Sequence, residues 1–148
     1  MNMQCFGALD EKKISELESK LELTLPESYR NFLKETGGGI AKQDGRNKVL
    51  IPSLKKMIAV DVFFGYGVSK NADILYWNNM YKDEICENAV LIGFDVRQGF
   101  LFLIAEDDNT DVCYWDDGYT FEESEDGQNV YFLGRDFSMF DIRKDCEE

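Results

Sequence analysis

The stretch AVLIGFDVRQGFLFLIA, residues 89–105, decides the fold of this 148-residue chain. Its two runs of apolar and aromatic residues, 89–95 and 99–105, predict two strands. Only three residues, 96–98, separate these runs, and so short a connection can join only antiparallel neighbours. The stretch therefore predicts an antiparallel pair of strands.

The same pattern continues on both sides of this pair. Downstream, DVCYWDD (111–117) and NVYFLG (129–134) predict two more short strands between polar turns. Upstream, KVLIPSL (48–54) and IAVDVFFGYG (58–67) predict two others, and Pro52 places the first of them at an edge or at a strand end. We expect a sheet of about five or six strands.

Apolar residues at helical spacing predict four helices. Pro26 suits the first turn of the second helix, because its missing N–H has no intrahelical partner to lose, and Gly37 suits the left-handed conformation that ends many helices. An antiparallel sheet with these helices indicates an α+β fold. We expect one domain over residues 1–148, with all four helices packed on one sheet face. The predicted helices cover residues 10–22, residues 26–36, residues 71–85 and residues 135–145.

Charge is distributed unevenly along the chain, whose net charge is −13. Residues 59–148 contain twenty-one acidic and six basic residues, and the tract 106–134 contains ten carboxylates and no basic residue. Such a field repels nucleic-acid phosphates and anionic membranes and attracts basic proteins. We expect a basic protein partner, and neither nucleic acid nor membrane.

Targeting signals and cysteine motifs are missing from the sequence. It has no segment typical of a signal peptide, and no apolar run approaches the roughly 20 residues that span a bilayer. The scattered cysteines form no CxxC pair, which predicts reduced thiols. We expect a cytoplasmic protein. The sequence leaves its oligomeric state open, with a monomer slightly favoured. The cysteines are Cys5, Cys86, Cys113 and Cys146.

Catalytic signals are weak. The chain has no histidine, the commonest general base near neutral pH, so a Ser-His-Asp triad is excluded. The pairs Asp116 and Asp117, and Glu122 and Glu123, have the residue types of a glycosidase. However, adjacent residues of a strand point to opposite faces and cannot flank one bond.

The segment DDNTDV, residues 107–112, begins like a calcium loop. Val112 occupies the position where that loop requires glycine, and Gly118 occupies the position of its bidentate glutamate. The segment is therefore interpreted as a polar hairpin turn. We expect no enzyme activity, no metal and no cofactor.

Five motifs follow one another along the chain. VLIGFD (90–95) and GFLFLI (99–104) form the central strand pair, and VCYWDDG (112–118) is a strand with its tryptophan. Their order resembles the SUKH superfamily, which comprises Syd, US-type and Knr-homology domains, over nearly the whole chain. The other motif residues are Leu25, Pro26, Tyr29, Phe32, Leu33, Gly37 and Gly38 of the second helix, and Phe137 and Phe140 near the end.

The resemblance implies a binding protein. Bacterial members are mostly immunity proteins that neutralise a cognate toxin domain, often a nuclease, and fungal relatives regulate cell-wall synthesis through protein contacts. We therefore expect a non-enzymatic immunity protein that binds and neutralises a cognate toxin domain. The alternatives are a regulatory adaptor that binds an endogenous protein, and a carboxylate-dependent hydrolase with two carboxylates in a deep pocket.

The acidic tract is the candidate partner-binding surface. Aromatic residues alternate with its carboxylates, and protein interfaces concentrate aromatic anchors within polar surroundings. The alternative is a solvated face that only keeps the protein soluble. The predicted binding residues are Asp107, Asp108, Asp111, Tyr114, Asp116, Asp117, Tyr119, Glu122 and Glu123, joined by Phe64 and Tyr66 if their strand borders the surface.

Overall fold

The computed structural model describes residues 1–142. It confirms an α+β fold with an antiparallel sheet. Within these residues it has three α-helices, not the predicted four, and two 3-10 turns, Lys70–Ala72 and Phe137–Met139. The helices are α1 (Glu11–Leu21), α2 (Glu27–Thr36) and α3 (Ile74–Met80). The strands are β1 (Met3–Cys5), β2 (Gly39–Ala41), β3 (Lys48–Ile51), β4 (Lys56–Phe63), β5 (Ala89–Asp95), β6 (Phe100–Ile104), β7 (Val112–Trp115) and β8 (Val130–Gly134).

The sheet is larger than the predicted five or six strands. Within residues 1–142 it has eight strands in the order β1-β2-β4-β5-β6-β7-β8, and β3 also pairs with β4. All pairs are antiparallel, and β3 and β2 share one edge of β4, along its first and second half respectively. β1 and β2, each three residues long, are the strands that the sequence did not predict.

The first two helices lie within one residue of their predicted bounds. The Asp10 carboxylate accepts a hydrogen bond from the Lys13 N–H at 2.9 Å at the start of α1. Gly37, at φ +69°, ends α2 by donating its N–H to the Leu33 carbonyl at 2.9 Å. Tyr29 and Phe32 on α2 are buried. Their apolar face fixes α2 on the sheet.

Helices cover both faces of the sheet, so the prediction of a single covered face is wrong. The Phe32 ring of α2 packs on Phe63, with centroids 5.3 Å apart. The Trp77 ring of α3 stacks on Phe64 at 6.0 Å and meets Phe100 at 5.5 Å on the opposite face. Adjacent strand residues point to opposite faces, and both Phe63 and Phe64 are buried. This part of the sheet is therefore apolar on both sides.

The predicted helix over residues 135–145 is replaced, as far as residue 142, by the 3-10 turn Phe137–Met139. Its later part lies outside the described residues. Phe137 and Phe140 are both buried, and the Phe137 ring lies 4.7 Å from that of Phe32. The side chains of this turn therefore pack against α2 and complete the core there, although the turn is not a regular helix.

Two further sequence predictions concern thiols and membranes. Cys86 and Cys113 are free, whereas Cys5 is disulfide-bonded, so the prediction of reduced thiols is wrong for Cys5. None of the helices within residues 1–142 combines the length and apolar character needed to cross a bilayer.

The turn between β5 and β6 is held by a buried carboxylate. Oδ1 of Asp95 accepts hydrogen bonds from the N–H groups of Arg97 and Gly99, each at 3.1 Å, and from the Tyr114 hydroxyl at 2.8 Å. Oδ2 has no hydrogen-bond partner within the described chain, although Arg97 Nη1 lies 3.8 Å away. Burial raises the pKa of Asp95 against the effect of these donors.

We expect Asp95→Asn to leave the free energy of unfolding at pH 7 unchanged or raise it by up to about 1 kcal/mol. The amide keeps the acceptor for all three donors and removes the buried charge. Because the folded pKa is raised, the charged carboxylate costs stability above its ordinary pKa, and that cost disappears as the pH falls. Urea unfolding at pH 7 and pH 4 measures both effects. A clear loss at pH 7 would show that the Arg97 charge depends on this carboxylate.

Candidate protein-binding surface

The acidic tract forms two loops at opposite ends of β7. The first acidic loop, residues 105–111, joins β6 to β7, and the second acidic loop, residues 116–129, joins β7 to β8. β7 has four residues, so at about 3.3 Å per residue the facing ends of the loops are about 15 Å apart. The ten carboxylates therefore form two groups that flank β7 and β8, not one continuous patch.

The first acidic loop is a tight polar hairpin. The Glu106 N–H donates to the Asn109 carbonyl at 3.1 Å, and the Asn109 side-chain oxygen accepts from the Asp111 N–H at 3.1 Å. These bonds occupy the backbone and leave the carboxylates outside. Asp107 and Asp108 are exposed, and Asp111 is half-buried.

Two open clefts flank this loop. The larger, of about 720 Å³, lies between the loop and the start of α2, and none of the described residues that line it is basic. Its acidic residues are Glu27, Glu106, Asp107 and Asp136. The other, of about 640 Å³, lies towards β8, where Phe132 and Arg135 line it together with Asp107, Asp108 and Asp111. The larger cleft therefore complements basic side chains. In the smaller one, the positive charge of Arg135 offsets part of the negative charge.

The second acidic loop folds around a buried carboxylate. Asp116 accepts hydrogen bonds from the N–H groups of Thr120 and Phe121, both at 2.9 Å, and from the hydroxyls of Thr120 at 3.0 Å and Ser124 at 2.5 Å. Burial opposes its ionisation, but these donors prevail and hold the pKa of Asp116 below its ordinary value. The loop is thereby ordered, and its surface residues include Asp117, Tyr119 and Glu122.

Two carboxylates of this loop have identified neighbours. Glu123 forms an ion pair with Lys56 at 2.7 Å, and the ammonium group lowers the pKa of Glu123. Burial, and after it the negative charge of Asp117, raises the pKa of Tyr81. Asp117 therefore lies near Tyr81, which packs against Trp115 with ring centroids 5.5 Å apart.

The predicted set of binding residues requires correction at four positions. Phe64, Tyr114 and Asp116 are fully buried and cannot touch a partner in this structure. The reason is strand alternation: Val112 and Tyr114 face the core, and Asp116 follows in the same phase. Tyr66 lies beside α1, where its hydroxyl accepts from Lys20 Nζ at 2.8 Å. It follows the end of β4, and two strands, β5 and β6, separate β4 from β7.

The remaining predicted residues are distributed between the two acidic loops. Sequence reasoning missed Phe132, which shares the smaller cleft with the first loop and is 45% exposed. Alternation along NVYFLG allows either Val130 and Phe132 or Tyr131 and Leu133 to face outwards, and the sequence contains no signal that chooses between them. Only the register with β7 determines it.

Comparison with known proteins identifies the family. The sequence model of the SMI1 / KNR4 family (SUKH-1) matches residues 8–141. This range contains all three α-helices, seven of the eight strands described within residues 1–142, and both acidic loops. No curated protein matches the chain.

Proposed function

We propose, from the premise that the chain belongs to the SMI1 / KNR4 family (SUKH-1), that this protein is an immunity protein that binds and neutralises a cognate toxin domain. The observation that carries the proposal is the pair of acidic loops at the two ends of β7, which together contain ten carboxylates and no basic residue. Such an arrangement attracts a basic protein surface.

The chemistry of a nuclease toxin fits this surface. A nuclease needs basic groups to hold the phosphates of its substrate. Carboxylates placed opposite those groups accelerate encounter, and the effect weakens as salt is added. A partner bound in this way has its substrate site covered, so neutralisation needs no reaction.

The proposal assigns no catalytic step to the protein. Asp116 and Asp117, the closest sequence candidates for an acid and base pair, have different environments. All bonds of the Asp116 carboxylate are made within its own loop, and it is buried, whereas Asp117 is half-buried. They do not face a common substrate position.

Co-expression tests the proposal. The product of the adjacent reading frame is expressed in a susceptible host with and without this protein, and the complex is then sought by co-purification. We expect restored growth and a stable complex, and an unrelated nuclease domain should be neither bound nor neutralised. Absence of rescue, together with a deletion phenotype in cells that contain no toxin, would instead favour the regulatory adaptor.

Charge reversal at the exposed ends of both loops should slow association. For the triple variant Asp107→Lys, Asp108→Lys and Glu122→Lys, we expect the association rate constant at low ionic strength to fall at least about 10-fold, because steering by exposed charges accelerates encounter by 10-fold or more. Stability should change little, since exposed charges contribute weakly to folding. Stopped-flow or surface-binding kinetics at two salt concentrations measure the rates.

The matched control reverses three exposed carboxylates outside the two loops, Glu35, Asp83 and Glu87. It changes the net charge equally. If both triple variants slow association to the same extent, total charge and not the placement of the loops accounts for the rate, and the acidic loops lose their assigned role.

A further inference from the structure

The outward face of β7 and β8 is an apolar surface that no helix covers completely. Along β8, Tyr131 and Leu133 are buried, whereas Val130 is 53% exposed and Phe132 is 45% exposed. All eleven phenylalanines lie within residues 1–142, and Phe132 has the most exposed side chain of them. Exposure of this aromatic residue distinguishes β8 from the rest of the sheet.

Register defines the neighbours of these two side chains. Phe132 pairs with Cys113, and Val130 pairs with Trp115, so all four side chains share one face. The segment after α3 reaches this face only as far as Trp115, through the Tyr81 ring. Along β8 this face is open to solvent at Val130 and Phe132.

β8 is the last strand in the path of the sheet, and it contains no charged residue. Terminal strands in natural proteins are commonly protected from association by charged side chains, especially lysine, or by proline. Here the charges lie beyond the strand ends, in the two acidic loops. An uncharged, exposed apolar strand is typical of a surface that meets a partner.

Carboxylates flank this face on both sides. The first acidic loop shares its smaller cleft with Phe132, and burial followed by the charge of Asp111 raises the pKa of the Cys113 thiol to about 11. At the other end, Asp117 lies near Tyr81, which contacts Trp115. Both groups of negative charge therefore border one apolar strip.

We infer that the outward face of β7 and β8, centred on Val130 and Phe132, is the apolar centre of the interface with the basic partner. This inference rests on the proposed function. It specifies a partner that presents an apolar strip between two basic clusters about 15 Å apart, the length of the strand that separates the acidic loops. An apolar core with a charged rim is the usual anatomy of a specific protein interface.

The two parts of the surface have separable roles. Charged rims act mainly on the association rate, whereas a packed aromatic centre acts mainly on the dissociation rate. The test is therefore made on purified wild-type protein and the product of the adjacent reading frame, with both rate constants measured.

For the double variant Val130→Ser and Phe132→Ser, we expect the dissociation constant to rise at least about 30-fold, the effect of losing an interface hot spot. The increase should come from faster dissociation, with little change in the association rate. The matched control is Ile40→Ser, whose side chain is 45% exposed on β2, a strand that β4, β5, β6 and β7 separate from β8 in the sheet. It should bind like the wild type.

A second measurement needs no variant. Hydrogen–deuterium exchange at the amides of β8 should slow in the complex, while exchange in the segment around the exposed Cys86 should not. If wild-type protein does not bind the toxin candidate, the proposed function fails and this inference fails with it. If wild-type protein binds but the β8 variant binds equally well and amide exchange in β8 is unchanged by binding, the inference alone is overturned.

Discussion

Replacing Gly37 with alanine is expected to lower the free energy of unfolding by about 4 kcal/mol or more, a loss that few single substitutions reach. Gly37 has φ +69°, and a Cβ placed there would lie 1.8 Å from the carbonyl oxygen of Gly7. The obstacle is backbone, which cannot rotate away as a side chain would. Either α2 must end differently, or the segment before α1 must move. Thermal and urea unfolding measure the loss.

A matched control separates the contact from the backbone strain. Gly45 has φ +87°, and a Cβ there would meet nothing within 4 Å. Gly45→Ala should therefore lower the free energy of unfolding only by the strain of the left-handed conformation, about 1–2 kcal/mol for an L-residue. If Gly37→Ala destabilises the protein no more than Gly45→Ala does, the close approach to Gly7 contributes nothing, and only the helix end requires glycine.

Local signals predicted the parts of the fold whose causes are local. The runs at 89–95 and 99–105 became β5 and β6 almost residue for residue, because three residues between two apolar runs leave only a hairpin. Likewise, Gly37 predicted the end of α2, and the predicted bounds of the first two helices hold within one residue. Each of these signals acts within a few residues of its effect.

Other parts of the fold depend on contacts between distant residues. Gly39–Ala41 is a strand because it pairs with Met3–Cys5 on one side and with the end of β4 on the other. Three residues contain no periodicity from which a strand can be predicted. The sequence also could not predict on which face of the sheet α3 packs, because Phe63 and Phe64 place apolar surface on both faces.

The candidate site shows the same division. Composition correctly located the carboxylates between Glu106 and Asp126, but it cannot distinguish a carboxylate that organises a loop from one that faces solvent. The alternation of side chains along β7 makes this distinction. Val112 and Tyr114 are buried, so Asp116 points towards the core and Asp117 points away from it. Once the inward phase of β7 is known, the opposite roles of these adjacent residues follow.

That distinction leads to the second large effect. We expect Asp116→Ala to lower the free energy of unfolding at pH 7 by about 3 kcal/mol, because it removes a charged acceptor and leaves buried N–H donors of the loop without a partner. The control Glu122→Ala removes an exposed carboxylate from the same loop and should change stability by less than about 0.5 kcal/mol. Urea unfolding of both variants at several pH values provides the comparison.

The pH dependence tests the cause as well as the size of the effect. Burial opposes ionisation of Asp116, but its hydrogen bonds hold the folded pKa below the unfolded value of about 3.9. Its contribution is therefore fully present above that unfolded value and is lost as the pH falls through the folded pKa. The stability difference between Asp116→Ala and the wild type should shrink in acid. A difference that stays constant down to pH 2 would mean that packing of the loop, and not the charged carboxylate, holds the second acidic loop in place.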